Sequence, residues 1–413
     1  MSPHLRFLPA VAVAVLLGFA SYHAFWGPDP TAAMSPKLRG LDLVSFWVPG
    51  KVLDDGHPEL MYDPKQLKAE FKALHPSKPP GYPVGYPPPV YQLAAIPQPS
   101  LAYLPAVKAM TYLVALAGAA AGALSVLAVR VPDAMPRREE WRLWALGLGI
   151  GFPGTVSAVI SGQLGGWWSL SMAAALTLRA RAKPFLGGLF LGLLWMKPTL
   201  ALPVAAGLLL LGEWALLGGM IGGGAVVLAA SLAADGLAPW QAYLARMLDT
   251  DKILDDFWIY RHRQFTARSL AGTLVWVKEW REPIGWVAGA LAAVGTALLA
   301  WRTRGATEPL HRDLVVGAVL AAALFAGPHM FEYDHGLNIF AVAAGSVWIA
   351  AGRARWPRVG MVAVALAWEA PMLTLIPVAS KWGIAGMSIL FWLAWMGAEL
   401  LRERRDGRLQ DAA

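Results

Sequence analysis

The residue best placed to do chemistry is Asp42, which comes after the first long apolar stretch of the chain. It lies in the run Gly-Leu-Asp-Leu-Val-Ser-Phe-Trp at residues 40–47. A carboxylate held at the edge of a bilayer can remove a proton from a substrate hydroxyl, which is general-base chemistry. Asp is also a favoured N-cap residue, and a short amphipathic helix is predicted at residues 44–53, so a capping role is an open alternative. Phe46 and Trp47 are expected to rest at the lipid headgroup level, and Trp47, beside the expected base, is also a candidate substrate-binding residue.

Cationic side chains occur where phosphate binding would explain them. Lys197 interrupts an apolar run, where a charge is costly and indicates function, and Pro198 after it predicts a helix break. An ammonium there could bind a phosphate, although a snorkelling Lys at a helix end is the alternative. Arg261 and Arg268 make a later loop basic. They could bind a diphosphate-like group or contact lipid phosphates nonspecifically.

Ionisable residues crowd the short segment at residues 327–335, which contains His329, Asp334 and His335. His is the commonest general acid or base, and we favour His335 over His329 for a catalytic role. A metal site is the alternative, but no HExxH-like ligand spacing is present. We therefore expect no metal and no cofactor.

Further polar and aromatic candidates lie in turns between apolar segments. Asp63 lies between Tyr62 and a proline, a pattern typical of a turn or a helix start. Tyr86 belongs to a Pro- and Tyr-rich segment that proline makes rigid. Gln163 comes after a glycine at a polar break between two helices, where a plain turn is the alternative. We treat Tyr62, Asp63, Tyr86 and Gln163 as candidate substrate-binding residues.

Composition indicates that membrane-spanning helices must position these residues. Of 413 residues, 57% are hydrophobic and 15% charged, whereas soluble domains carry about 25% charged residues. The chain is therefore expected to be an all-α polytopic membrane protein. It has no Cys, which excludes a thiolate nucleophile, and its net charge of +8 is spread over short loops. We expect no nucleic-acid partner, and no nucleotide-binding glycine motif is present.

Apolar runs, among them residues 5–26 and 141–160, predict about twelve membrane spans, provided that residues 184–211 cross twice around Lys197. The Lys and Arg residues of alternate loops then fall on one side, which the positive-inside bias assigns to the cytoplasm together with both termini. Two long loops, at residues 27–100 and 235–283, face the opposite side. We expect a single domain over residues 1–413, located in the cell membrane.

Several motifs, in order, resemble one family. They are the runs at 42–47 and 62–64, Tyr-Pro-Pro at 86–88, Gly-Gln at 162–163, Lys-Pro-Thr-Leu at 197–200, and Ser-Leu at 269–270 with Gly272. The chain resembles glycosyltransferase family 87 of the GT-C superfamily, whose known members are polyprenyl-phosphate-mannose-dependent α-1,2-mannosyltransferases. The family often has Gly-Gln-x-Asn at 162–165 and Asn-Gln-Ser-Leu at 267–270, from which this chain departs.

The resemblance implies a GT-C-like bundle with short amphipathic helices in its first outer loop. It implies transfer of a sugar from a polyprenyl-phosphate donor to a lipid or glycan acceptor among membrane lipids. Asp42 matches the family's catalytic aspartate, and inversion at the anomeric carbon needs one base and stabilisation of the departing phosphate. Lys197, Arg268 and a protonated His335 are candidates for that stabilisation. A lipid transporter or flippase, which also needs broken helices and intramembrane charge, is the alternative.

Overall fold

The computed structural model describes residues 44–74, 85–248, 264–374 and 383–403, and the elements in them are helices. Three of these are short 3-10 segments, at Pro58–Leu60, Gly192–Met196 and Glu332–Asn338. The α-helices are α1 (Val44–Asp54), α2 (Pro64–Leu74), α3 (Pro88–Ala95), α4 (Tyr103–Ala128), α5 (Arg138–Ile150), α6 (Pro153–Ser161), α7 (Gly165–Ala180), α8 (Pro184–Leu191), α9 (Pro198–Leu211), α10 (Trp214–Asp235), α11 (Ala238–Met247), α12 (Ala267–Leu274), α13 (Lys278–Thr303), α14 (Pro309–Ala326), α15 (Ile339–Ala350), α16 (Pro357–Leu373) and α17 (Ile384–Glu403).

Five of the described helices are long and apolar enough to cross a membrane. The apolar spans in them are Ala109–Ala128 of α4, Trp214–Asp235, Lys278–Thr303, Pro309–Ala326 and Ile384–Arg402 of α17. The protein is thus an all-α membrane protein, as composition predicts. The total of about twelve spans, which includes a helix at residues 5–26 outside the described residues, stays a prediction.

Proline breaks two of the predicted spans into shorter pieces. The run at 184–211 divides at Lys197, as expected, because Pro198 starts α9 at the first helical position, where its missing N–H is not needed. The run at 141–160, expected to be continuous, also divides. Helix α5 ends at Ile150 and α6 begins at Pro153, with the intervening Gly151 and Phe152 outside both helices.

Helices α8 and α10 pack at very short range through glycines. Gly188 and Gly192 are four residues apart on one side of the contact, and Gly219 and Gly223 are four apart on the other. A Cβ added to Gly188 would lie 2.7 Å from the Cα of Gly219, closer than real Cβ atoms approach. Such small-residue pairs let backbones approach closely inside a bilayer, where packing drives helix association.

A buried ion-pair network joins the helix ends at one end of the bundle. Asp313 of α14 is fully buried and accepts hydrogen bonds from Arg130 after α4 and from Arg179 of α7. Arg179 and Arg312 also pair with Glu213, which lies just after α9. Three predicted cytoplasmic arginines therefore meet at one end of the bundle, at the opposite end of α9 from Lys197.

The helices before α4 pack against the bundle. Helix α1 covers the predicted residues 44–53 with one residue more. Its Phe46 and Trp47 are 2% and 7% exposed, so they lie inside the protein, although aromatic residues here were expected to rest at the lipid headgroups. Their burial fixes α1 against the segment that contains Tyr86.

Candidate functional site

The site is built around Lys197, at the break between the 3-10 segment Gly192–Met196 and α9. Its carbonyl accepts the backbone N–H groups of Leu200 and Ala201, as an N-cap carbonyl does. The side chain is buried, with Nζ 2.6 and 2.7 Å from the two carboxylate oxygens of Asp334. Asp334 is fully buried and also accepts the N–H of Phe331, so the helix break and the 327–335 segment are held together.

Aromatic rings surround the Lys197 ammonium. Nζ lies 4.8 Å from the ring centroid of Tyr333, 5.8 Å from that of Tyr86 and 6.0 Å from that of Phe331. A cation within about 6 Å of an aromatic centroid is attracted by the ring quadrupole. The cation is therefore stabilised by Asp334 and by the rings together, in surroundings that exclude most water.

Tyr86 connects three of the predicted site residues. Its hydroxyl donates to Oε1 of buried Gln163 at 3.0 Å, and its carbonyl accepts from the Tyr62 hydroxyl at 2.6 Å. Burial raises the pKa of Tyr62, which keeps that hydroxyl a neutral donor. Phe46 packs edge-on against the Tyr86 ring, with centroids 5.0 Å apart. The structure thus brings Tyr62, Tyr86, Gln163 and Lys197 together.

Asp63, a neighbour of Tyr62 in sequence, starts a helix. Its Oδ1 accepts the backbone N–H groups of Lys65 and Gln66 at 2.7 and 3.0 Å, at the beginning of α2. These two hydrogen bonds lower the pKa of the Asp63 carboxyl. The helix-start role anticipated for this residue is the one the structure shows.

Arg268 lies in the first turn of α12, which is docked on the 327–335 segment. The backbone N–H of Phe265 donates to the Met330 carbonyl at 2.7 Å, and Thr266 caps α12 through a reciprocal pair of hydrogen bonds with Ser269. Arg268 is 6% exposed, its guanidinium stacks 4.1 Å from the Trp286 ring, and Glu282 lies 3.7 Å away. A second buried cation is therefore anchored to the same segment as Asp334.

The charges of both cations act on His329. It is half-buried, and its ring centroid is 4.4 Å from that of Phe331. Burial lowers the pKa of His329, and the positive charges of Lys197 and Arg268 lower it further. Both positive charges thus disfavour protonation of His329, and its imidazole is neutral at pH 7.

His335 is held more tightly. Its Nε2–H donates to the Ala367 carbonyl at 2.8 Å, and Nδ1 accepts from the Asn338 amide at 3.0 Å. The ring stacks on Phe152 at 5.6 Å and contacts Phe265 edge-on at 5.2 Å. Burial lowers the pKa of His335 to about 4. The ring is therefore neutral at pH 7, which does not fit the expected protonated form, and it joins the 3-10 segment to α16.

The remaining predicted residues are Trp47, Asp42 and Arg261. Trp47 is buried and its carbonyl accepts from the Gln98 side chain at 2.9 Å. Asp42 and Arg261 lie outside the described residues. No group of three or more His, Asp or Glu side chains is arranged to hold a metal ion in the described part of the chain.

Three residues of the site were not among the predicted site residues. They are Asp334, Tyr333 and Phe331. Asp334 belongs to the ionisable cluster at 327–335, and the two aromatic residues lie in the same segment but belong to no recognisable motif. Little in the sequence indicated that Lys197 pairs with Asp334, because the two residues are 137 positions apart. A buried Lys in an apolar run nevertheless requires an anionic partner, and the acidic residues between apolar runs are few.

The arrangement is suited to an anionic substrate group. An ammonium has three N–H donors, and two of those of Lys197 are directed at Asp334. The third can bind a phosphate oxygen, with Arg268 as a second cation nearby. Such preorganised cations in a water-poor site stabilise the charge that develops on a leaving group.

Comparison with known proteins identifies the family of this chain. The family model for glycosyltransferase family 87 matches residues 85–325, which is more than half of the chain and includes Tyr86, Gln163, Lys197 and Arg268. Neither the curated proteins nor the solved structures gave a match to the chain. The extent of the family match shows that this chain is a membrane glycosyltransferase of family 87.

Proposed function

We propose that this glycosyltransferase takes its sugar, a hexose such as mannose, from a polyprenyl-phosphate donor and transfers it to a lipid-linked or glycan acceptor. The observation that carries the proposal is the buried Lys197–Asp334 pair at a helix break, with Arg268 docked on the same segment. Two buried cations beside one segment attract an anionic substrate group. A single phosphate attached to a membrane-embedded tail supplies that anion without any nucleotide-binding domain.

The reaction is a single displacement at the anomeric carbon. Asp42 removes the proton from the acceptor hydroxyl, the hydroxyl oxygen attacks the anomeric carbon, and the bond from that carbon to the phosphate oxygen breaks. The electron pair leaves with the polyprenyl phosphate, whose charge Lys197 and Arg268 stabilise. Attack opposite to the leaving group inverts the configuration of the sugar.

The assignment of Asp42 is supported by the helix that comes after it in the chain. Asp42 precedes the start of α1 by two residues, and Phe46 in the first turn of α1 packs on Tyr86. The Tyr86 ring lies 5.8 Å from the Lys197 ammonium. Helix α1 is therefore anchored beside the expected phosphate site, on the extracytoplasmic side according to the Lys and Arg bias.

His335 is assigned a positioning role in this proposal. It is adjacent to Asp334, and its hydrogen bond to Ala367 fixes the 3-10 segment against α16. A fixed 3-10 segment holds the Asp334 carboxylate in place, which in turn orients Lys197. Tyr62, Tyr86 and Gln163 build the wall around the sugar, and of these three the Tyr86 ring is nearest to the cation.

The proposal is tested by incubating the purified protein in liposomes with radiolabelled polyprenyl-phosphate mannose or glucose and a membrane lipid extract. We expect the label to move into an extractable glycolipid or glycan, with release of polyprenyl phosphate. Transfer from a nucleotide sugar but not from the polyprenyl-phosphate sugar would overturn the donor assignment. Movement of the intact donor across the liposome bilayer without sugar transfer would support the transporter alternative.

A further inference from the structure

A second feature of the molecule, apart from the cation site, is an apolar groove between α5, α15 and α16. Its volume is about 520 Å³, within the range of small-molecule binding sites. Small side chains line much of it, among them Ala145, Ala343 and Ala365. Its α15 wall extends from Ile339 to Ala350, which at 1.5 Å per residue is ~16 Å. This is about half of the ~30 Å thickness of the hydrocarbon core, or one leaflet.

One end of the groove adjoins the candidate site. The Trp368 indole of α16 donates to the Leu148 carbonyl of α5 at 3.1 Å, and both residues line the groove. Phe152, which also lines this end, stacks on His335. His335 is next to Asp334, the partner of Lys197. Phe152 and His335 therefore connect this end of the groove to the segment that carries the ion pair.

Glu369 is the one charged residue that lines the groove, and it lies at the same end beside Trp368. Its side chain is exposed on α16, and the neighbouring residues of this helix, from 359 to 373, are apolar. Among the described residues it forms no hydrogen bond or ion pair. A carboxylate in such a position is costly and indicates function.

The sign of this charge selects the kind of lipid that fits. A carboxylate accepts hydrogen bonds and donates none, so it binds hydroxyl groups and repels phosphate. The groove therefore disfavours a lipid whose head is a bare phosphate, which suits the Lys197 and Arg268 region instead. An uncharged sugar head offers several hydroxyl donors to Glu369 and an apolar ring face to Trp368.

We propose that the groove between α5, α15 and α16 binds the hydrocarbon tail of a glycolipid whose uncharged sugar head is held by Glu369 and Trp368. This inference rests on the proposed function in one respect, namely that the glycolipid bound there is the acceptor. The donor phosphate and the acceptor head would then approach the site from opposite sides of the Phe152–His335 stack. Glu369 is a substrate-binding residue in this arrangement.

The test uses the full-length protein in phosphatidylcholine nanodiscs and three photoreactive lipids. They are a monohexosyl diacylglycerol, a phosphatidic acid with the same diazirine-bearing tail, and a diazirine-bearing polyprenyl phosphate. Cross-linked residues are mapped by mass spectrometry. We expect the glycolipid to label α5, α15 and α16 far more than either phosphate lipid. Glu369→Gln should weaken glycolipid labelling about tenfold, because it removes charge-assisted hydrogen bonds.

Two tryptophan substitutions on α16 provide a matched pair. Ala365 and Val362 are both exposed, but only Ala365 lines the groove. We expect Ala365→Trp to abolish glycolipid labelling and Val362→Trp to leave it unchanged. Equal labelling by all three lipids, preferential labelling by polyprenyl phosphate, or equal loss in both tryptophan variants would overturn the assignment. Specific glycolipid labelling by a protein that transfers no sugar would overturn the proposed function and leave the groove assignment standing.

Discussion

Asp42 and Asp63 each precede a helix in the sequence, but they are assigned different roles. Asp63 is committed to the backbone N–H groups that begin α2, whereas Asp42 is the expected base. We predict that Asp42→Asn lowers the rate of sugar transfer by at least about a hundredfold, as loss of a general base does. Binding of the lipid donor, measured by photolabelling, should persist.

Asp63→Asn is the matched control for Asp42→Asn. Asn is also a good N-cap residue, so we expect this variant to keep most of its activity. If Asp63→Asn abolishes transfer and Asp42→Asn does not, then the base lies at the start of α2 and the assignment of Asp42 is wrong.

Lys197 is predicted to act on the donor. We expect Lys197→Met to raise the KM for the polyprenyl-phosphate sugar and to lower kcat, with little change in the KM for the acceptor, because the phosphate belongs to the donor. Steady-state kinetics with both substrates varied will measure this. A change confined to the KM of the acceptor would contradict the donor assignment.

The Lys197→Met variant needs a control for folding, because it leaves Asp334 buried without its cation. Breaking a buried ion pair on one side typically costs about 3–5 kcal/mol. In the double variant Lys197→Met/Asp334→Asn no uncompensated charge remains, so thermal stability should recover. Donor use should stay impaired, and recovery of donor use together with stability would show that Lys197 is structural.

His335 makes a prediction about pH. Its folded pKa of about 4 lies below the ordinary value of 6.5, so protonation favours the unfolded state. The resulting stability is present above pH 6.5 and is lost as pH falls through that value towards 4. We expect the melting temperature of the wild type to fall more steeply across this window than that of His335→Gln. Identical pH profiles would contradict a neutral, buried His335.

At the scale of the helices, the contact between α8 and α10 offers a test with neighbouring glycines. A Cβ on Gly219 would lie 2.8 Å from the Cα of Gly188, whereas a Cβ on Gly218 would meet no atom within 4 Å. Overpacking typically costs about 1–3 kcal/mol. We therefore expect Gly219→Ala to lower the melting temperature in detergent by several degrees and Gly218→Ala to leave it unchanged. Equal effects would show that the helices do not meet at Gly219.

The helices also show what local sequence can and cannot predict. The break at Lys197 and the extent of α1 were predictable because proline and apolar periodicity are local signals. The break at residues 151–153 carries a similar Gly and Pro signal, but the apolar composition of residues 141–160 favoured one continuous span. Proline had the larger effect, since it cannot donate the hydrogen bond that a continuous helix needs.

The site itself was only partly predictable. Lys197, Tyr86 and Gln163 were predicted from local anomalies such as a charge in an apolar run or a polar turn. Their mutual contacts, the pairing of Lys197 with Asp334, and the burial of Trp47 depend on packing between distant segments. A single acid near a helix end, such as Glu369, resembles a solvated terminus until the groove beside it is known.

At the scale of the whole molecule, the two buried ion-pair clusters lie at opposite ends of α9. Lys197 and Asp334 are at its start, and Glu213, which pairs with Arg179 and Arg312, lies just past its end. Helix α9 has 14 residues, which is ~21 Å of helix. The clusters thus mark two ends of the bundle, one rich in arginine and one that contains the proposed site.

The positive-inside bias assigns the arginine-rich end to the cytoplasm, and this predicts where single cysteines will react. The chain has no native Cys, so Asp55→Cys, just after α1, and Ala134→Cys, between α4 and α5, each provide one thiol at an exposed position. We expect an impermeant maleimide to label the cysteine at position 55 in intact cells, and that at position 134 only after permeabilisation. The reverse pattern would place the proposed site, and the sugar transfer that depends on it, on the cytoplasmic side.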